Sequence, residues 1–242
     1  NMLKARHPYK RWLRDNARYI EGSFDGESAP GIPESELDTY QKMFQVSFEE
    51  RDQVLRPLAE SGNEAVGSMG DDTPLAVLSA RDRSIYDYFR QKFAQVTNPP
   101  IDPLRESIVM SLEVDLGGEG NIFDEIEGHA YRVSLTSPVL SQGKFNTLLN
   151  IEDEKLKIAD IDATYDPENG DLRSAVEGLC LTAETAVRGG ATLLILSDRQ
   201  IGDSRLPIHS LLATGAVHHH LIRSGLRADA NLIVESGSAR DS

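Results

Sequence analysis

The sequence predicts an α/β fold in which helices flank a parallel sheet, and the evidence lies in the second half of the chain. Three short apolar runs begin at positions 158, 192 and 231, with separations of 34 and 39 residues. An amphipathic stretch stands between each pair of runs. Strands connected through helices in this way join by right-handed crossovers and lie parallel. The repeat length fits a partial (β/α) barrel as well as an open doubly wound sheet.

The first third of the chain predicts an arm followed by helices. Residues 1–33 combine a basic segment with a Gly/Ser/Pro linker, which favours an arm or a disordered terminus over a core element. Glu34 to Val46 and Ser47 to Ser61 are predicted helices, and Ser47 with Glu50 forms a capping-box pattern. Pro57 should kink or shorten the second helix, because proline cannot donate a backbone hydrogen bond.

The middle of the chain is dominated by prolines and glycines. Phe93 to Glu106 contains Pro99, Pro100 and Pro103, so its carbonyl oxygens face few competing amides. It predicts a rigid connector, with a helix starting at Asp102-Pro103. The adjacent Asp71 and Asp72 indicate a turn and cap more than a metal site, since further oxygen ligands at suitable spacing are missing.

The glycine-rich stretch that ends at Gly128 predicts an acidic surface loop, because it lacks the lysine and the following helix of a phosphate-binding loop. The remaining elements follow from capping and periodicity. They are a short helix capped by Ser141, a strand at Ile158 to Asp162, a helix at Leu172 to Arg188, a strand at Thr192 to Leu196, a helix at Ile208 to Ser224 and a strand at Asn231 to Val234.

Composition excludes several classes of partner. The 39 acidic and 25 basic residues give a formal charge of −14, which disfavours nucleic acid and anionic membranes. The single cysteine, Cys180, cannot form an internal disulfide, so a reducing compartment is expected. No apolar run approaches the roughly 20 residues of a membrane span, so we expect a cytoplasmic protein.

Polar residues stand at the ends of the predicted strands, which is the edge where parallel α/β proteins place their sites. They are Asp162 with Thr164, Ser197 to Arg199, and Glu235 with Ser236. Asp198 and Arg199 could bind an anion or a substrate carboxylate there, or could simply pair with neighbours at the strand end. His218, His219 and His220 point in three directions on a helix, which disfavours a shared metal ion. Cys180 should be a small buried apolar residue.

Three long segments resemble one family. GSMGDDTPLAVLS (Gly67 to Ser79), YDYFRQKFAQVTNPPIDPLRE (Tyr86 to Glu106) and GAVHHHLIRSGLR (Gly215 to Arg227) resemble the large subunit of glutamate synthase. The resemblance is to its central domain, between a glutaminase domain and an FMN-binding synthase domain. It implies residues 1–33 as an arm from the glutaminase domain, 34–236 as the central domain and 237–242 as the start of a linker. It also favours the rudimentary barrel over the open sheet.

The resemblance implies a role without catalysis for this chain. The glutaminase nucleophile is an N-terminal cysteine and the synthase cluster needs three cysteines, so we expect no cofactor here, and FMN and an iron–sulfur cluster only in the full enzyme. Thr97 and Asn98 match the Thr-Asn pair that lines part of the ammonia channel. The implied partners are the two neighbouring domains and an electron donor, either ferredoxin or an NADPH-linked small subunit.

Two alternatives remain open at this point. One is a free-standing barrel enzyme that uses Asp198 and Arg199 to bind a phosphate or flavin. The other is a purely structural scaffold, in which changes at Thr97 and Asn98 affect stability only.

Overall fold

The computed structural model describes residues 6–20, 32–62, 74, 76–89, 105 and 109–239. The predictions for Asp71 and Asp72, for the proline stretch and for Thr97 and Asn98 lie outside the described residues. The chain divides into two compact units. One comprises Asn1–Gly31 and Leu112–Ser236, and the other comprises Ile32–Ser111 and Gly237–Ser242.

The described helices and strands are numbered here in chain order. They are α1 (Tyr9–Asn16), β1 (Ala17–Tyr19), α2 (Glu34–Met43), α3 (Phe48–Glu50), α4 (Arg56–Ser61), β2 (Val114–Leu116), β3 (Arg132–Leu135), α5 (Gln142–Leu149), β4 (Ile158–Asp162), β5 (Thr164–Tyr165), α6 (Leu172–Arg188), β6 (Leu193–Ser197), β7 (Leu206–Pro207), α7 (Ser210–Arg223) and β8 (Asn231–Glu235). A π-helical turn, Arg51–Leu55, separates α3 from α4.

The first unit is built on a parallel sheet with the order β4-β6-β8, which confirms the predicted α/β fold. Ile158 pairs with Leu193, and Leu193 pairs with Asn231, so the three strands start in register. Their spatial order follows the sequence order, as in a segment of a (β/α) barrel and as within one half of a doubly wound sheet, whose order reverses only between its halves. The described residues form no closed barrel.

Two hydrophobic clusters cover the two faces of this sheet. On one face, α6 and α7 bring Ala183 and Val217 against Leu194, and all three side chains are fully buried. On the other face, Leu193 packs with Val133, Leu148 and other residues outside the sheet. In a closed barrel this second face would point into the lumen. Here it packs against a second layer of the same unit.

That second layer includes a small mixed sheet that the sequence did not predict. Its order is β1-β3-β2, with β1 parallel and β2 antiparallel to β3. Ile20, directly after β1, is only 7% exposed and belongs to the core. The expectation that no part of residues 1–33 is a core element is therefore wrong for this segment, because β1 pairs with β3. Strands of three or four residues are too short to show a clear period, which is why this sheet escapes pattern analysis.

The first unit also contains a two-stranded antiparallel sheet. β5 pairs antiparallel with β7, and the N–H of Ile208 donates to the carbonyl oxygen of Ala163 at 2.8 Å. This extended conformation delays the start of α7 to Ser210, two residues later than predicted. His209 caps the helix, because its Nδ1 accepts from the N–H of Leu211 at 3.3 Å.

The second unit contains α2, α3 and α4. Ser47 caps α3 as predicted, since its Oγ accepts from the N–H of Glu50 at 3.0 Å. The predicted helix from Ser47 to Ser61 is interrupted by the π turn just before Pro57. Proline cannot supply the missing N–H, so the interruption at this place fits the predicted effect of Pro57.

Among the residues that the structure describes, no helix combines the length and the apolar character needed to cross a bilayer.

Candidate functional site at the strand ends

The carboxyl ends of β4, β6 and β8 meet at one edge of the parallel sheet. Register places Ser197 directly opposite Glu235, and Asp198, Arg199 and Ser236 follow one or two residues later. We call these five residues the strand-end cluster. Every one of them stood among the strand-end residues that the sequence indicated, and the structure brings them together.

Glu235 is the centre of the strand-end cluster. The Oγ of Ser197 donates to its Oε2 at 2.6 Å, and the Nε of Arg199 donates to its Oε1 at 2.7 Å. Burial raises the pKa of Glu235, but the hydrogen bonds from Arg199 and Ser197 outweigh burial and hold that pKa below its ordinary value. The hydrogen bond to Glu235 also raises the pKa of Arg199. Both groups are therefore charged at neutral pH.

Asp198 is the most buried carboxylate of the cluster, with 7% of the residue exposed. Its backbone N–H donates to the carbonyl oxygen of Glu235 at 3.1 Å. The Oγ of Ser236 donates to its Oδ2 at 2.6 Å. The carboxylate thus joins β6 to the segment after β8, and Asp198 and Arg199 have structural partners within the chain.

A second charged pair lies at the end of β4. Arg205 forms an ion pair with Asp162, and its Nε donates to Oγ1 of Thr164 at 2.8 Å. The hydroxyl of Thr164 donates in turn to Oδ1 of Asp162 at 2.6 Å. Sequence reasoning missed Arg205, although a second arginine in the loop that follows β6, after Arg199, is the signal that could have found it.

The space left between these groups is small. A cavity of about 10 Å³ lies between the strand ends and α7, lined by Asp198, Ser210, Thr214 and Ser236 among others. Such a volume holds about one water molecule. Pockets for organic ligands are typically about 300–1,000 Å³, so the cavity does not accommodate a flavin. The polar groups at this edge are arranged to satisfy one another.

The histidines of α7 have separate partners. Nε2 of His220 lies 2.6 Å from Oε2 of Glu184 on α6, and Nδ1 of His218 accepts from Nε of Arg227 at 2.9 Å. His219 is exposed. Hydrogen bonds from Arg188 and then from His220 lower the pKa of Glu184. Within the described ranges, no group of three His, Cys, Asp or Glu side chains could hold a metal ion.

Cys180 is buried in α6, as predicted, and is 7% exposed. Burial raises the pKa of its thiol. The thiolate, which is the reactive form, is therefore disfavoured at neutral pH.

Comparison with known proteins gives one matching family and several similar proteins. Residues 39–242 match the family described as glutamate synthase central domain. The chain is 42% identical over 245 residues to the glutamate synthase (NADPH) large chain of Azospirillum brasilense, covering 99% of this chain and 16% of that protein. It is also 42% identical over 239 residues to the chloroplastic ferredoxin-dependent glutamate synthase of Oryza sativa subsp. japonica, covering 97% of this chain and 15% of that protein.

A third relative is the glutamate synthase (NADH) of Schizosaccharomyces pombe, which is 42% identical over 252 residues, with 99% of this chain and 12% of that protein covered. The chain therefore spans about one sixth or less of the length of these relatives.

Proposed function

Because this chain belongs to the glutamate synthase central domain family, we propose that it acts as the connecting domain of a glutamate synthase large chain. In that enzyme it would join a glutaminase domain, which releases ammonia from glutamine, to an FMN-binding domain, in which ammonia is added to 2-oxoglutarate. The observation that carries this proposal is the match itself, which covers 97–99% of this chain but only 12–16% of the three relatives described above.

The strand-end cluster supports a role without catalysis for this domain. Glu235 is engaged by Ser197 and Arg199, and Asp198 is engaged by Ser236. A catalytic group must reach a reacting atom within hydrogen-bond distance. The cavity beside these residues has room for about one water molecule, so we assign them to joining the strand ends.

The electron donor is expected to act on another part of the large chain. The three relatives named for NADPH, ferredoxin and NADH are equally similar to this chain, at 42% identity. A domain that contacted the donor directly would have to suit three chemically different partners. We therefore place the donor contact outside this domain, together with the FMN and the iron–sulfur cluster that the family resemblance assigns to the synthase domain.

The domain's own contribution would be one wall of the ammonia channel, at Thr97 and Asn98. These residues precede Pro99 and Pro100, which lack backbone N–H groups. The carbonyl oxygens around them thus meet little competition from amides, and ammonia is a small hydrogen-bond donor. We propose that these carbonyls and the Asn98 side chain guide ammonia between the two active sites.

The test is Asn98→Ala in the full-length enzyme, with glutamine hydrolysis and glutamate formation measured in the same sample. Loss of a channel contact should let ammonia escape, so that more glutamine is hydrolysed than glutamate is formed. Asn150→Ala, at an exposed asparagine that follows α5, is the matched control and should keep the two rates equal. An unchanged one-to-one ratio in Asn98→Ala would refute the channel role, whereas loss of stability alone would indicate a scaffold.

A further inference from the structure

An exposed apolar tip stands on the acidic loop between β2 and β3, which we define as residues Gly117–Gly128. Ile122 is 76% exposed and Phe123 is 87% exposed, and Ile126 in the same loop is 54% exposed. Single exposed apolar residues are common on protein surfaces. Three large ones within five positions are not, and they contribute little to the core of their own domain.

The tip of the acidic loop is held in a defined turn. The Oδ1 of Asn121 accepts from the N–H of Phe123 at 3.1 Å, and its carbonyl oxygen accepts from the N–H of Asp124 at 3.0 Å. The Nδ2 of Asn121 also donates to the Asp124 carboxylate at 3.0 Å. These hydrogen bonds fix the backbone turn that carries Ile122 and Phe123, which reduces the backbone entropy lost on binding a partner.

Both ends of the acidic loop are anchored in the first unit. At one end, the N–H of Gly117 donates to Oδ1 of Asn231 at 2.7 Å, beside the parallel sheet. At the other end, Glu125 accepts from the hydroxyl of Tyr9 at 2.5 Å and from Arg6 at 3.0 Å. These contacts fix the base of the loop to α1 and to β8, while the tip remains in solvent.

The charge around the tip restricts its partner. Residues 117–128 include four carboxylates and no lysine or arginine. An anionic lipid surface would repel this loop. A second copy of the chain would bring two identical acidic loops together, and both chains carry a net charge of −14, so they would repel each other. The complementary surface is an apolar pocket with a rim of lysine or arginine side chains.

We propose that Ile122 and Phe123 dock into an apolar, basic-rimmed pocket on another part of the same large chain. This partner follows from the relatives, in which at least 84% of the polypeptide lies outside the matched region. The inference rests on the proposed place of this domain within a large chain, but it does not depend on the ammonia channel.

The test is Phe123→p-benzoylphenylalanine in the full-length enzyme, followed by irradiation and identification of the cross-linked peptides. We expect cross-links to a segment of the same polypeptide outside these 242 residues, with lysine or arginine close to the attached residue. Mixing isotopically light and heavy enzyme separates links within one polypeptide from links between copies. Links to a second copy, to lipid or to no partner would each overturn the proposal.

The same probe at Val139 is the matched control, because Val139 is also large, apolar and 76% exposed but lies on another loop. We expect its cross-link yield to be at least about fivefold lower, since Val139 lies outside the acidic loop. Equal yields at the two positions would show unspecific labelling and overturn the proposal.

A charge reversal tests the basic rim separately. Glu119→Lys, in the acidic loop, should reduce the yield from position 123 several-fold, whereas Glu152→Lys, at an exposed site outside the loop, should leave it unchanged. Equal yields in the two variants would refute the basic rim. Because cross-linking needs no turnover, a failed Asn98 experiment and a failed docking experiment remain distinguishable.

Discussion

Removing the carboxylate of Glu235 should destabilise the first unit by an amount that depends on pH. Two contacts are at stake: the hydrogen bond from the Ser197 hydroxyl at 2.6 Å and the ion pair with Arg199 at 2.5 Å. Ser197 is 5% exposed, so in Glu235→Ala its hydroxyl loses a partner that water cannot easily replace. The side chain of Arg199 is 60% exposed and can be hydrated instead.

These burial values set the expected magnitude. A buried hydroxyl left without its partner costs about 1–3 kcal/mol, and an ion pair with one exposed partner contributes about 0.2–1 kcal/mol. Glu235→Ala should therefore lower the free energy of unfolding by about 2 kcal/mol. Glu235→Gln retains an acceptor for Ser197 and loses only the charge, so it should cost about 1 kcal/mol or less.

The sign of the pH dependence follows from the pKa. The pKa of Glu235 in the folded chain lies below its ordinary value, because the hydrogen bonds from Arg199 and Ser197 outweigh the effect of burial. Its charge then stabilises the fold above the unfolded pKa of about 4.3, and this contribution is lost as the pH falls through the lower folded pKa. Wild type and Glu235→Gln should thus converge in stability under acidic conditions.

Urea unfolding of the chain, repeated from about pH 7 down to about pH 3, measures both effects. Glu152→Gln is the control, since it removes an exposed carboxylate elsewhere. A difference between wild type and Glu235→Gln that stays constant or grows as the pH falls would refute this account of the strand-end cluster. So would a loss below about 0.5 kcal/mol in Glu235→Ala.

Two further predictions concern the core beneath the strand ends. Leu194→Ala should lower the free energy of unfolding, measured in urea, by about 3 kcal/mol, because this side chain is fully buried between the sheet and its helices. The control Leu181→Ala, at a 60% exposed position, should change the free energy of unfolding by no more than about 0.5 kcal/mol. Cys180 should react with a thiol reagent at least about tenfold faster in urea than in the native chain, because burial both shields the thiol and raises its pKa; fast labelling of the native chain would contradict this.

The parts of the fold that the sequence predicted are those with a long period or complete burial. Leu172–Arg188 forms a helix with the predicted bounds, because its apolar face repeats over four turns. β6 was placed within one residue, since all five of its residues are buried and the run is unmistakable. The mixed sheet was missed because β1 contributes only three residues to it, and its pairing with β3 depends on contacts distant in sequence.

The strand-end residues show that sequence patterns within one element do not predict contacts between elements. The sequence placed Asp198, Arg199 and Glu235 after strands, and it offered both anion binding and local pairing. The structure selects Glu235 as the partner of Arg199, across 36 positions of sequence. Only the parallel register, which sets Ser197 opposite Glu235, makes that pairing visible. A site that depends on register between strands is therefore harder to predict than a motif within one element.

Two features of the parallel sheet are relevant to function. They are the order of its strands and the side chains that pack on its second face. A (β/α) barrel places ligands at the carboxyl ends of its strands, around the mouth of a closed ring. Here three strands lie in sequence order, as they would in a barrel, but Val133 and Leu148 pack on the face that would line the ring of a closed barrel. At the carboxyl edge, Ser197 and Arg199 donate hydrogen bonds to Glu235. This arrangement fits the connecting role proposed above, in which the domain would support the parts of the large chain on either side of it.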